Sequence, residues 1–386
     1  MFAFLKNMGK NKELEALICK LQNNCENNYK DAAQENLKSA DYQSAVEVWE
    51  NRPRKKLTLT IVFVVVGILL AFLLGILLVV DSYLDKINKV EGPEPTISQE
   101  EIDRILSETD PPEENLDGIA IDIEDVVLPE LPADKIQTED HVFNILLIGQ
   151  DRRPGEARAR SDSMILCTIN TKEKTLVMTS FLRDLYVRIP DYNGKSYSDN
   201  RLNVPYAIGG MEMLNECLEM NFGVQVDHNV EVDFSGFEKI VDIMGGVGME
   251  LTQKESRHVP GSRAGWNHLN GKQALAYARI RKIDNDFGRT NRQRKVLLAL
   301  IAQLKYTDIE TMAELAEEIF PMITTDMSNA DILTYLAKFA PLLSELEITT
   351  QQIPGTDAYR SAMVRGMSVL VPNIEKCCQQ LQDTIG

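Results

Sequence analysis

Val142–Gly149 reads VFNILLIG, an apolar run that stops at a glycine, and Gln150–Asp162 then reads QDRRPGEARARSD. A short apolar run bounded by turn signals predicts a buried strand, with the polar stretch as its exit loop. SMILCTIN (163–170) and TLVMTSFL (175–182) predict two further strands, split by the turn residues TKEK. Downstream, 203–223 reads as a helix, VEVD (230–233) as a short strand, FSGFEKIVDIMGG (234–246) as a helix closed by glycines, and GVGMEL (246–251) as another strand. Helical patterns follow over 270–280, 290–304, 311–323 and 329–346; EITTQQIP (347–354) is the last strand expected, before a closing helix from about Pro372. Strands alternating with helices predict an α/β layered domain over residues 141–386.

The chain upstream of this domain has a different character. Leu57–Val80 runs for twenty-four residues without a charge, and about 20 apolar residues cross a bilayer as a helix. Arg52, Arg54, Lys55 and Lys56 precede it and Asp81 and Asp85 follow, so residues 1–56 are expected in the cytoplasm and everything after 80 outside. The run is too long and too far from the N-terminus for a cleaved signal peptide. Residues 1–56 carry helical periodicity with mixed charges, consistent with a small hairpin or a partner-binding tail. Residues 81–140 hold PEPT, DPPEEN and LPELPAD and read as an acidic extracellular linker.

The formal net charge is −17, but Glu91–Asp140 alone carries −15, so the rest of the chain is close to neutral. The acidity thus belongs to the linker, and no nucleic-acid partner is expected. The six cysteines show no metal spacing, the adjacent pair Cys377 and Cys378 falls in the closing helix, and the four histidines are scattered. Neither a zinc site nor a histidine-based triad is expected.

Three stretches bring arginine together with aspartate to strand or helix ends. The loop after the first strand carries Asp151, Arg153, Arg160 and Asp162; the strand ending at Leu182 delivers Arg183 and Asp184; a later segment supplies Arg279, Arg281, Asp286, Arg289, Arg292 and Gln293. Ligands of open α/β sheets gather beyond the carboxyl ends of strands. Arginine suits bidentate recognition of phosphate oxygens, and aspartate beside phosphate is a usual way to hold Mg²⁺. A metal–diphosphate site is one reading; structural salt bridges at strand ends are the other, with Arg152, Arg158, Arg294 and Lys295 left as surface residues.

The motifs NILLIGQDRR, RSDSMILCTIN, TSFLRDLYVRIP, RLNVPYAIGG, VEVDFSGFEKIVDIMGGV, LNGKQALAYARIRK and DNDFGRTNRQ, in that order, resemble those of the LytR–CpsA–Psr family from about Phe143 to Leu304. The resemblance implies an extracellular α-β-α sandwich behind a single N-terminal transmembrane helix, in the cell membrane of a Gram-positive bacterium. It implies a phosphotransferase that moves a glycopolymer (teichoic acid, capsule or similar) from an undecaprenyl diphosphate carrier to peptidoglycan, with Mg²⁺ or Mn²⁺. By motif match Asp151 and Asp162 would hold the metal. Arg153, Arg160, Arg183, Arg279, Arg281, Arg289 and Gln293 would hold the diphosphate, and Asp286 matches the acidic residue before the final arginine. Departures from the family pattern are Leu182 for a common proline, Arg201 for a lysine and Ile280 for a serine; none removes a charge the chemistry needs. The apolar helices around 202–222 and 296–304 are expected to line a lipid groove, with ordinary core packing as the alternative. A lipid-diphosphate pyrophosphatase and a non-enzymatic polymer-binding sensor are the rival functions.

Overall fold

The structure is a computed structural model that describes residues 80–92, 94, 97–107, 126, 128, 134–152, 158–281, 283–284, 286–305, 307 and 309–385. All belong to one compact unit, Leu78–Gly386. The expected cytoplasmic region 1–56 and the expected membrane span 57–80, Val80 apart, lie outside the described residues. No described helix is long and apolar enough to cross a membrane.

In chain order the described elements are β1 (Asn88–Lys89), α1 (Gln99–Ser107), β2 (Val142–Gln150), β3 (Ser161–Asn170), β4 (Thr175–Phe181), β5 (Tyr186–Val187), β6 (Asn200–Arg201) and α2 (Val204–Phe222). They continue with β7 (His228–Asp233), α3 (Phe234–Ile243), β8 (Val247–Leu251), α4 (Gln253–Ser256), β9 (Gly265–Leu269), α5 (Gly271–Ala278) and α6 (Asp286–Lys305). Last come α7 (Ile309–Ile319), β10 (Thr324–Thr325), α8 (Asn329–Phe339), β11 (Glu347–Ile353), β12 (Tyr359–Val364), β13 (Met367–Pro372) and α9 (Ile374–Ile385). Seven strands form a mixed sheet in the order β1-β10-β7-β2-β3-β4-β11. The pairs β2–β7 and β4–β11 are parallel, and β2–β3 and β3–β4 are antiparallel.

Successive side chains of a strand point to opposite faces, and here both faces are apolar. Leu146, Ile148, Met164 and Leu166 turn to one side and pack with Met213, Leu214 and Leu218 of α2, Leu381 of α9 and Ile102 of α1. Ile165, Cys167 and Met178 turn to the other and meet Leu297, Leu298 and Ile301 of α6. Helices on both faces of one sheet make the expected α-β-α sandwich. The two-sided burial explains why the strands read as apolar runs rather than alternating patterns.

Two parts of the chain differ from expectation. The segment read as a linker carries Leu84, Ile87, Ile97, Ile102 and Ile105 into the core, and β1 pairs with β10 at the sheet edge. Glu94 of the same segment accepts from Arg158 Nη1 at 2.9 Å and from the Met211 amide at 2.7 Å. It occupies the space beside Gly210, where α2 breaks at φ 66, ψ −150 and a Cβ would collide with its carboxylate. Charge and proline dominate this segment's composition, yet its isoleucines are spaced to pack. Beyond β11, the strand expected to be last, β12 and β13 form a hairpin turned by Arg365 and Gly366, both at positive φ. That is the backbone of a type I′ hairpin turn, ordinarily signalled by Asn-Gly or Asp-Gly.

At the start of β7, His228 Nδ1 lies 3.3 Å from Asp326 Oδ1, and Asp326 also accepts from the Asn229 amide at 2.8 Å. The hydrogen bond to Asp326 raises the His228 pKa above its ordinary 6.5, against the pull of burial. The protonated ring is therefore the better bound form. Its contribution to stability is complete below the unfolded-state pKa and is lost as pH rises through the folded one. Urea midpoints are expected to fall between about pH 6 and about pH 8 in the native chain and to fall less in His228→Gln. Equal slopes would remove this pair from the pH dependence.

Candidate active site

The carboxyl ends of β2 and β4, the start of β3 and the junction between α5 and α6 converge at one edge of the sheet. β2 passes through an irregularity at Gly149/Gln150 into Asp151, and β3 begins with Ser161 and Asp162. Beneath this turn Gln150 Nε2 and the Tyr206 hydroxyl both donate to buried Glu231, and Gln150 Oε1 accepts from the Ala159 amide at 2.9 Å. The network pins both ends of the loop. Asn270 caps α5 in a reciprocal box with Gln273, and the helix ends at Arg279. Asp286 opens α6, four residues earlier than the helical pattern at 290 suggested, so Asp286, Arg289 and Gln293 lie on one helix face.

Charges alternate across the cluster. Arg279 Nη2 donates to Asp151 Oδ2 at 2.9 Å while its guanidinium stacks 4.6 Å from the Phe234 ring. Arg183 Nη1 donates to Asp162 Oδ1 at 2.7 Å, and Arg281 reaches the other Asp162 oxygen at 3.7 Å. Asp184 takes Arg183 at 3.4 Å and Arg201 at 3.6 Å. Arg289 pairs with Asp286 at 3.0 Å.

Two aspartates, Asp184 and Asp286, share a hydrogen bond. Burial, then a hydrogen bond shared with Asp286, drives the Asp184 carboxyl well above the usual carboxylate range. Burial would raise Asp286 as well, but the Asp184 hydrogen bond and Arg289, Arg183 and Arg281 outweigh it and hold Asp286 below that range. The two carboxyls are thus pushed in opposite directions, the separation expected when two carboxyl groups share a site. Five guanidinium groups face four carboxyl groups, so the cluster carries a positive excess.

Arg289 shows where that excess is directed. It is 2% exposed, and none of its three nitrogens has a hydrogen-bond partner among the described residues, Asp286 reaching Nη1 only as an ion pair. Burial, with Arg183 beside it, pulls its pKa below the ordinary arginine range. A buried charged donor left unpaired costs about 1–3 kcal/mol or more. Such an arrangement suits an anion that supplies the missing acceptors.

Next to this cluster, between the sheet and helices α3, α5 and α6, lies a cavity of about 280 Å³. Leu147, Ile165, Val232, Phe237, Leu275 and Leu297 line it, and Arg279 and Gln293 supply most of its polar edge. The Gln293 Oε1 is buried without a partner. Of the two expected groove-lining helices, α6 does line this cavity through Leu297 and Leu300. The other, α2, packs on the opposite face of the sheet as ordinary core, because its apolar residues run around most of its circumference.

Asp151, Asp162, Arg183, Arg279, Arg281, Asp286, Arg289 and Gln293 are therefore brought together as expected. Arg153 lies outside the described residues. Arg160 donates Nη2 to the Ile105 carbonyl, at the end of α1. Arg292 belongs to the structural reading: it clamps Asp284 through two bonds of 2.7 Å and the Ile280 carbonyl through a third of 2.6 Å, fixing the loop between α5 and α6. Arg158 and Arg294, read as surface residues, are each 6% exposed. Arg201 and Phe234 join the site without a site role foreseen in the sequence, and Asp184, noted there beside Arg183, joins it without a motif-matched role. The Arg-Asp dipeptide was the available signal for Asp184, whereas Arg201 and Phe234 arrive only through tertiary packing.

Fold and site together define a class: an α/β sandwich with an arginine–aspartate cluster at the mouth of an apolar cavity. The chain belongs to the LytR_cpsA_psr family, whose pattern it matches over residues 115–384. It is 33% identical over 222 residues to the polyisoprenyl-teichoic acid–peptidoglycan teichoic acid transferase TagU of Bacillus mycoides (strain KBAB4), covering 57% of this chain and 70% of that protein. It is 33% identical over 230 residues to TagV of Bacillus subtilis (strain 168), which bears the same transferase name, covering 56% and 58% respectively. Among solved structures, TagT bound to LI-WTA superposes with a TM-score of 0.52 at 28% identity, over 64% of this chain and 90% of that one.

Proposed function

We infer that this chain transfers a glycopolymer from an undecaprenyl diphosphate carrier to a hydroxyl of peptidoglycan, leaving a phosphodiester. The observation that carries it is the buried Arg289 guanidinium, ion-paired to Asp286 but without a hydrogen-bond partner among the described residues, standing with Arg183, Arg279 and Arg281 beside the mouth of an apolar cavity. The names of the TagU and TagV relatives agree with this chemistry. The diphosphate would lie across the arginines and the prenyl chain would enter the cavity past Arg279 and Gln293.

In the transfer step the acceptor oxygen attacks the phosphorus that bears the sugar. The bond from that phosphorus to the bridging oxygen breaks, polyprenyl phosphate leaves with the electron pair, and the hydroxyl proton passes to a base. Charge spreads over the non-bridging oxygens in the transition state, and preorganised guanidinium groups stabilise it without reorganising. Asp162 holds Arg183 and Arg281 in place for this role.

The described residues contain no group of three or more metal-ligating side chains. The donor set nevertheless fits Mg²⁺ or Mn²⁺, which bind through one or two carboxylates completed by substrate phosphate oxygens and water. Asp151, with a side chain 46% exposed, and Asp162 would supply those carboxylates. Bound there, the ion would neutralise phosphate charge in the transition state. In this reading Leu57–Val80 anchors the chain in the cytoplasmic membrane, with residues 1–56 inside and the α/β domain outside.

Full-length chain incubated with lipid-diphosphate-linked polymer, peptidoglycan and Mg²⁺ tests the proposal. Polymer joined to peptidoglycan supports transfer. Release of sugar phosphate alone supports a pyrophosphatase, and binding without either product supports a sensor. Leu297→Trp, which fills the cavity, is expected to raise KM for a long-chain lipid donor about tenfold or more while leaving that for a water-soluble short-chain diphosphate within about twofold. Equal effects on both donors would place the chain elsewhere.

A further inference from the structure

A second, polar pocket of about 570 Å³ opens on another face of α6, between the first turns of that helix, the end of β11 and α9. Arg294 lies in its wall. The residue is 6% exposed, yet its Nε and Nη1 have no hydrogen-bond partner among the described residues, and Nη2 reaches only Gln352 Oε1 at 3.5 Å. No carboxylate stands in the lining. Burial pulls the Arg294 pKa below the ordinary arginine range. A guanidinium withdrawn from water without an anion is destabilising, so its retention beside an open pocket points to a ligand.

The rest of the wall combines amides with Phe287, Thr350, Gly288 and Gly355, and two of the amides are held in fixed positions. Gln380 Nε2 donates to Gln351 Oε1 and to the Gln352 carbonyl, each at 3.1 Å, and Gln351 Nε2 donates to Thr179 Oγ1 at 2.9 Å. Asn291 adds a further amide from α6. One unpaired cation among neutral donors and acceptors matches a small anionic group on a hydroxylated body. An apolar or cationic ligand would leave Arg294 unpaired or repel it.

The pocket adjoins the active site. It sits at the carboxyl end of β11, which runs parallel to β4, and the chain leaving β4 delivers Arg183. Neighbouring strands lie about 4.8 Å apart, so a saccharide with its reacting group near Arg183 can extend into the pocket.

We propose that this pocket is a second binding site for an acidic sugar, in which Arg294 pairs with a carboxylate or phosphate and the surrounding amides take its hydroxyls. Its place beside the reacting centre rests on the transfer function proposed above; the binding itself does not. Glucuronic acid, glucose 6-phosphate and glucose titrated into the full-length chain, followed by ligand-observed NMR, provide the test. Saturable binding of at least one acidic sugar is expected, with glucose at least about tenfold weaker, and comparison of the two acids tells carboxylate from phosphate recognition. Arg294→Gln is expected to lose about tenfold or more in affinity, and Lys295→Gln, outside both sites, to bind acidic sugar as the native chain does. Asn291→Leu, at the rim, is expected to weaken binding with Arg294 intact, and it decides the matter if Arg294→Gln fails to fold. The site is overturned by absence of saturable binding, by equal binding of glucose, by undiminished affinity in a folded Arg294→Gln or in Asn291→Leu, or by equal loss in Lys295→Gln. None of these measurements uses lipid donor, so failure of transfer and failure of the pocket are separately readable.

Discussion

Arg183→Ala is expected to lower the rate of polymer transfer by about a thousandfold or more, with the folded state retained. An arginine that stabilises transition-state charge in phosphoryl transfer contributes on this scale. Arg183 is central to the cluster: it donates to Asp162 at 2.7 Å, pairs with Asp184 at 3.4 Å and is largely shielded from water. Nearby acid groups raise its pKa despite burial, so the guanidinium is charged at every accessible pH. In the variant Asp162 keeps Arg281 at 3.7 Å, so its carboxylate is not left without a cation, and Asp184 stays beside Arg201 at 3.6 Å. Single-turnover assays of saturated enzyme separate the effect on the chemical step from binding. A loss within tenfold would remove Arg183 from the reacting centre.

Asp162→Asn and Asp184→Asn are expected to diverge although both residues contact Arg183. Asp162 is the partner of two arginines and one of two proposed metal ligands. Its amide variant is expected to lose about a hundredfold or more in turnover and to require higher Mg²⁺ for half-maximal rate. Burial and its hydrogen bond with Asp286 push the Asp184 carboxyl towards its neutral form, so an amide that donates in the same direction should preserve that contact. A loss below about tenfold is expected for Asp184→Asn. Comparable losses, with an unchanged Mg²⁺ requirement in Asp162→Asn, would contradict both the direction of the Asp184 shift and the metal assignment.

The contrast between these two aspartates marks how far the sequence could be read. VFNILLIG, SMILCTIN and TLVMTSFL are strands because both faces of the sheet are covered, and two-sided burial leaves an unbroken apolar signature. Arg183 and Asp162 were legible because strand ends at a sheet edge are few and these charges stand at them. Sidedness along α6 was not legible. Arg289, Arg292 and Arg294 occupy one short stretch, yet they face the diphosphate-like cluster, a structural clamp on Asp284 and a separate polar pocket. Where the helix begins decides which is which, and Asp286 opens it earlier than its apolar periodicity reveals. The segment upstream of β2 was obscured for a different reason. Its acidic composition resembles a spacer, while buried apolar side chains such as Ile102 and Ile105 and the carboxylate of Glu94 fasten it to the fold. The Arg365-Gly366 hairpin escaped because arginine is an uncommon occupant of a positive-φ turn position.

The central claim is that one ligand spans both halves of the site, with its diphosphate on the arginines and its chain in the adjoining cavity. A polyprenyl diphosphate bearing a photoreactive diazirine on the chain, irradiated with the full-length protein and mapped by mass spectrometry, tests this directly. Labels are expected on Phe237, Leu275, Leu297 and Leu300, and excess unlabelled polyprenyl diphosphate or Arg289→Gln should suppress them. Labels on α2, or cavity labels that persist unchanged in Arg289→Gln, would contradict it.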